Sequence, residues 1–217
     1  FKAHFFLVFI LISNHGYSSH AAGARITYDY IGDSTGVARE YFFRLEVVRD
    51  QFGQPMGNFG RVINVKSSCS TDDFFNVQKV SPPSHLNAGD GGFIIPGLDE
   101  CHAANAIVKK YSLFIYEGTY ILPVKCSDWK FSFTAGGSRS HGIGSFTSAS
   151  SGLLDLFCYS LLNNMESEND LITTSYIENA RVFCIGSQAK IFSLYKEREG
   201  DSISFKLTAP FKDETQT

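Results

Sequence analysis

Alternation of hydrophobic and polar residues is the dominant pattern along this chain. Residues 26–30, 43–47 and 202–207 show it most clearly, with charged or polar side chains between the apolar ones. A period of two is typical of half-buried antiparallel strands. The pattern predicts further strands at 61–66, 75–80, 130–134, 180–185 and 190–195.

One long apolar run and one short one are less regular. The run 106–122 is interrupted by Glu117 and Gly118, which predicts two strands joined by a turn. The segment 153–161 is open to two interpretations. Its leucines have helical spacing, but 156–159 could equally form a buried strand, because periodicity alone does not decide so short a run.

Two polar stretches separate these segments. Residues 136–151 are rich in Gly and Ser, which predicts an exposed loop. Residues 163–170 are almost entirely polar, which predicts a linker.

Short strands separated by turns predict an all-β fold, an antiparallel β-sandwich of the immunoglobulin-like type, in residues 20–166. The composition agrees with this, because 20 Phe, 10 Tyr and 19 Gly favour strands and tight turns. Residues 167–217 are too few for a second sandwich, which needs roughly 100 residues. We therefore expect them to be part of a second immunoglobulin- or cadherin-like domain that is truncated.

The first residues have the order of a secretory signal. Lys2 precedes the apolar run 5–12, and small and polar residues follow. We predict a signal peptide over residues 1–19, with cleavage between Tyr17 and Ala22, and a secreted or cell-surface location. A membrane anchor is less favoured because spanning a bilayer takes about 20 apolar residues, and a first core strand is the other alternative. Because residue 1 is Phe rather than Met, we expect the sequence to begin inside a longer one.

The charge balance bears on partners. The chain carries 19 Lys and Arg against 22 Asp and Glu, and its longest basic run is Lys109-Lys110. This argues against nucleic acid, which is held by neutralising phosphates. Cell-surface components or an extracellular polymer are the expected partners.

The five cysteines are widely spread and lack metal-site spacing. In an oxidising exterior they predict disulfides, but sequence does not give the pairing, and the odd number leaves one thiol over. The candidates are Cys69, Cys101, Cys126, Cys158 and Cys184.

The Gly- and Ser-rich stretch 137–142 does not have the Gly-x-Ser-x-Gly spacing of a nucleophile elbow. The sequence contains no H-E-x-x-H, P-loop or dinucleotide fingerprint. We therefore predict that the chain is not an enzyme and has no certain cofactor. A carboxylate pair for glycoside hydrolysis stays open, because such residues need not be neighbours in sequence.

Acidic residues offer one candidate metal site. Glu197, Glu199 and Asp201 surround a glycine and could turn three carboxylates toward Ca²⁺, which prefers oxygen ligands. The alternative is a charged hairpin turn. For Asp90, in a Gly-rich stretch, we expect a solvated turn.

Trp129 is the single tryptophan of the chain. We expect it to anchor the core of the sandwich beside a disulfide. Stacking against a sugar is the alternative role.

Several segments together resemble the N-terminal region of large secreted surface proteins of gliding bacteria. The resemblance rests on 19–28, 43–50, 120–123, 126–133, 182–186 and 197–203, which include Cys126-Ser127-Asp128-Trp129. Proteins of that family commonly continue into polycystic-kidney-disease-type or cadherin-like repeats. The resemblance implies a non-enzymatic exported protein, either an adhesin or a gliding-motility component.

The sequence therefore favours a secreted, disulfide-bearing structural or adhesion module. A carbohydrate-binding or hydrolytic extracellular module is the alternative, and a spacer that binds nothing is a third. A groove lined by aromatic rings beside two close carboxylates would favour the alternative. Flat, charged faces would favour the structural module.

Overall fold

A computed structural model describes residues 21–32, 39–50, 56–57, 59–94, 111–139, 154–165, 173–174 and 195–196, together with 202, 204 and 206. The predicted signal peptide lies outside these residues, and so does most of the predicted second domain. Of the predicted strand 202–207, the three described residues belong to no strand. The strands are β1 Ala21–Gly32, β2 Arg39–Asp50, β3 Arg61–Lys66, β4 Asp73–Lys79, β5 Phe93–Ile94, β6 Tyr111–Leu122, β7 Trp129–Arg139, β8 Leu154–Leu162, β9 Thr173–Thr174 and β10 Tyr195–Lys196.

The prediction of an all-β, antiparallel fold is confirmed. The main sheet has the order β1-β2-β6-β4-β3-β7-β8, with β5 on β6, and each pairing is antiparallel. One short helical turn, Ser84–Leu86, is present in the described part of the chain, where no helix has the length and apolarity to cross a bilayer. Strands β9 and β10 form a separate two-stranded sheet.

The main sheet curls into two layers that enclose the core. The inner face of β1-β2-β6 packs on that of β3-β7-β8, and the rings of Phe43 and Phe131 meet across the interface at 4.5 Å. Strands β1 and β8, at opposite ends of the strand order, are also brought together. The Tyr28 hydroxyl donates to the Leu161 carbonyl and the Ser160 hydroxyl to the Ile26 carbonyl, each at 2.6 Å.

Strand β4 connects the two layers, and this explains one wrong prediction. Its first part pairs with β3, whereas Gln78 and Lys79 pair with β6. Strand β6 runs unbroken through Glu117 and Gly118, where a turn was expected. A Cβ on Gly118 would lie 3.0 Å from the Asn76 carbonyl oxygen. The glycine therefore allows β4 and β6 to approach closely and does not form a turn.

The end of the described sandwich also differs from expectation. The ambiguous segment is strand β8, and β7 continues to Arg139 into the predicted loop. The second residue of the predicted linker, Asn164, is buried, with 0% of it exposed. The side-chain oxygen of Asn164 accepts a hydrogen bond from the backbone amide of Cys126 at 2.7 Å. The backbone amide of Asn164 donates one to the Cys126 carbonyl at 3.1 Å. These paired contacts hold Asn164 inside the fold.

Candidate functional site

Some of the predicted site residues lie in the described part of the chain and others do not. The calcium candidates Glu197, Glu199 and Asp201 lie outside the described residues, as do Cys101 and Cys184. The calcium site stays a prediction, which a melting experiment with and without chelator tests. We expect the chelator to lower the melting temperature if Ca²⁺ binds the native state.

Two of the five cysteines form a disulfide. Cys69 bonds to Cys126, with 5.9 Å between their Cα atoms, so the prediction of a disulfide is confirmed. The carboxylate of Asp128 lies beside it and accepts from the Ser68 amide at 3.1 Å. These three side chains are close enough to share a metal ion. Because the two sulfurs are bonded to each other, however, neither is a thiolate that could bind one.

Cys158, another disulfide candidate, is instead a free thiol on β8. It points to the inner side of the sheet, opposite Phe133, and packs against the core. Burial raises the pKa of this thiol to about 12. Its environment is therefore that of an unreactive structural cysteine.

Asp90 does not lie in a solvated turn as expected. Its carboxylate forms an ion pair with the buried Arg49 at 2.6 Å and accepts from the Ser112 hydroxyl at 2.5 Å. The Gly92 amide donates to the other carboxylate oxygen at 3.0 Å. The neighbouring Lys79 has its ammonium 4.8 Å from the centre of the Phe114 ring, and burial lowers its pKa. Asp90 is thus a structural counter-ion between β2 and β6.

Other carboxylates are also held in structural contacts. Glu46 pairs with Arg25, and Glu117 pairs with Arg44 at 2.7 Å. Asp73 accepts from the hydroxyl of Tyr120 at 2.6 Å, and this hydrogen bond lowers the pKa of Asp73. Each of these acidic groups therefore has a cationic or hydrogen-bonding partner.

Trp129 is a core residue, as expected. Only 1% of it is exposed, and it packs with the apolar side chains of the main core. It therefore has no surface on which a sugar could stack in the native state.

The outward side of β4-β3-β7-β8 is the most distinctive surface among the described residues. The register places Phe74, Asn64, Ser132 and Tyr159 in one row across the four strands. Lys66 and Lys130 form the next row, and Phe157 lies on the other side of Tyr159 along β8. We call this surface the lysine–aromatic face, defined as Asn64, Lys66, Phe74, Lys130, Phe157 and Tyr159.

Rings and cations are in direct contact on this face. The Lys130 ammonium lies 4.9 Å from the centre of the Tyr159 ring and 5.6 Å from that of Phe157. The two rings are 5.9 Å apart and half-buried. Phe74, at the other side of the face, is 60% exposed. Such cation–π contacts hold the ammonium and both rings in a defined arrangement.

The face was not predicted from sequence, although one signal for it was present. Residues 156–162 are apolar at nearly every position, so β8 carries apolar side chains on both of its faces. Leu161, on the outer side, is 56% exposed. Exposed apolar residues that cluster on one surface commonly mark an interaction site.

Comparison with known proteins adds no identification. No family model, curated protein or solved structure matches this chain significantly. Membership of the gliding-bacterium surface proteins therefore stays a prediction from the resemblance.

Proposed function

We propose that this chain is a secreted or cell-surface module without enzymatic activity that acts in adhesion, as part of a surface protein of the gliding-motility type. The lysine–aromatic face is the observation that carries this proposal. It presents rings and cations from four neighbouring strands on one side of the sheet, an arrangement suited to contact an extended partner.

Two further observations support the proposal. The Cys69–Cys126 disulfide is the type of cross-link that persists in oxidising compartments. The ion pairs of Glu46, Glu117 and Asp90 occupy their carboxylates with arginines, so these groups stabilise strands.

Adhesion and hydrolysis can be tested in one experiment. Microspheres coated with residues 20–217 are incubated with films of neutral polysaccharide, acidic polysaccharide or gelatin, and reducing ends are measured in the same wells. We expect the microspheres to adhere to at least one film without release of reducing ends. Release of reducing ends above the blank would favour a hydrolytic module. Adhesion to none of the films would favour a spacer.

Export is tested separately in cells that produce the full-length protein. A membrane-impermeant biotin reagent should label it on intact cells, and non-reducing peptide mapping should recover the Cys69–Cys126 cross-link. Protein found only in the cytoplasm with five free thiols would contradict the proposal.

A further inference from the structure

The lysine–aromatic face has a charge arrangement that strand pairing alone does not explain. Lys66 and Lys130 are directly opposite each other in the β3–β7 ladder and project from the same side. Like charges at such positions destabilise a sheet. Lys66 has an exposed acidic neighbour, Asp72, at 3.6 Å. Among the described residues, no carboxylate forms an ion pair with Lys130, whose ammonium lies over two rings instead.

The arrangement of Lys130 suits an anionic ligand that also presents an apolar surface. A ligand that stacks on Tyr159 or Phe157 would displace the ammonium from above the ring, and a negative group at the edge of the ligand would then lie close to it. Lys66, one strand away, adds a second positive charge. Asp72 neutralises part of the charge of Lys66, and an anion between the two lysines would gain a favourable contact with both.

The rings define the second property of the ligand. Phe74 and Tyr159 lie at the ends of one row, three strand spacings apart, or about 14 Å. Asn64 lies between them, is partly exposed and offers a hydrogen-bonding amide, whereas Ser132 in the same row is buried. A pyranose ring has an apolar face of C–H bonds that stacks on aromatic side chains and a rim of hydroxyls that bind polar ones. An oligosaccharide lying across the strands would match this sequence of groups.

From this charge and spacing we infer that the lysine–aromatic face binds an acidic polysaccharide, with Phe74, Phe157 and Tyr159 as stacking platforms and Lys66 and Lys130 as carboxylate- or sulfate-binding cations. This inference rests on the proposed adhesive function and specifies its ligand. A protein partner is less favoured because protein hot spots are residues that fill well-packed pockets, whereas the two rings of this row are separated by two small polar residues.

The test compares ligands that differ only in charge. Binding of the full mature chain to polygalacturonate, alginate and hyaluronate is measured by affinity electrophoresis, with methyl-esterified polygalacturonate as the uncharged analogue and poly-L-glutamate as an acidic polymer without sugar rings. We expect binding to at least one acidic polysaccharide that weakens with salt. It should be about fivefold tighter than binding to the esterified analogue or to poly-L-glutamate.

Variants locate the site. Lys130→Gln and Phe74→Ala should each weaken binding about fivefold, whereas Phe74→Tyr, which keeps a ring, should restore most of it. Arg44→Gln and Ile121→Ala are the matched controls, since both residues are exposed on the other layer of the sheet. All of these positions are at least partly exposed, so thermal melting should show that each variant is folded.

Several results would overturn the inference. One is an absence of binding to all three acidic polysaccharides. Another is binding to the esterified analogue or to poly-L-glutamate that is as tight as binding to the acidic polysaccharide. The third is binding that neither Lys130→Gln nor Phe74→Ala weakens. In each case adhesion of the coated microspheres to another film would leave the proposed function standing. Failure of the microspheres to adhere at all would instead reject the function itself.

Discussion

The ion pair between Arg49 and Asp90 provides the sharpest test of how this fold is stabilised. The guanidinium of Arg49 is only 2% exposed, whereas the Asp90 side chain is 16% exposed. Besides the ion pair, Asp90 accepts hydrogen bonds from the Ser112 hydroxyl and the Gly92 amide. One carboxylate therefore connects β2, β6 and the turn before β5. Removing this carboxylate should therefore weaken the packing of all three elements.

The expected cost follows from the burial of the arginine. Removing one member of a buried pair costs about 3–5 kcal/mol, because it leaves an uncompensated charge. Asp90 keeps some contact with water, so we expect Asp90→Ala to lower the free energy of unfolding by an amount at the lower end of this range, about 3 kcal/mol. Asp90→Asn keeps a hydrogen-bond acceptor and should cost less, about 2 kcal/mol. For a chain of this size, 3 kcal/mol corresponds to a fall in Tm of roughly 6–12 °C.

Urea unfolding followed by the fluorescence of Trp129 measures these differences, since this residue is the single, buried tryptophan. Glu117→Gln is the control because it breaks the more exposed pair with Arg44, and it should cost less than about 1 kcal/mol. The double variant Arg49→Met/Asp90→Leu should recover much of the loss, since an apolar pair has no charge to desolvate. If Asp90→Ala cost no more than Glu117→Gln, the assignment of Asp90 as a structural counter-ion would be refuted.

Three further predictions concern the cysteines and one tyrosine. The double variant Cys69→Ser/Cys126→Ser should lose about 4 kcal/mol of unfolding free energy in urea, because the disulfide closes a loop with a sequence separation of 57; unchanged stability would contradict this. Iodoacetamide at pH 8 should leave Cys158 unmodified in the native protein and alkylate it after unfolding, because burial raises its pKa to about 12; fast native labelling in peptide mass spectrometry would show that the thiol is accessible. Tyr120→Phe should raise the pKa of Asp73 toward its ordinary value of 3.8, because the Tyr120 hydroxyl lowers it, and an NMR titration that shows no change would contradict the contact. Because the pKa of Asp73 is lowered in the folded protein, this hydrogen bond stabilises the native state above pH 3.8. The stabilisation is lost as the pH falls through the pKa that Asp73 has in the folded protein.

The strands that could be predicted from sequence are those whose pattern is local. Alternation predicts 61–66, and β3 is Arg61–Lys66, because one face of this strand is buried and the other is partly exposed. In the same way, the pattern at 43–47 lies inside β2, where Phe43, Leu45 and Val47 are buried. A strand that is polar on one side can be recognised from its own alternation of apolar and polar residues.

The wrong predictions concern residues whose environment comes from distant parts of the chain. Gly118 faces the backbone of Asn76, Asn164 bonds to Cys126, and Asp90 pairs with Arg49. Nothing next to these residues in sequence indicates those partners. Gly, Asn and Asp in polar surroundings are usual turn residues, so local reasoning assigns them to turns or linkers. Their actual roles depend on strand pairing, which sequence alone does not give.

The ambiguity of β8 and the lysine–aromatic face have one cause. A strand with apolar side chains on both faces loses the alternation that identifies it, as happens where both faces are covered. In β8 the inner residues Leu156 and Leu162 are buried in the core, while Leu161 on the outer side is more than half exposed. The fold therefore requires the inner set and gives no reason for the outer one. An apolar outer row beside two lysines is the kind of exposed surface that commonly marks an interaction site, so a bound partner would account for the outer residues that the fold does not require.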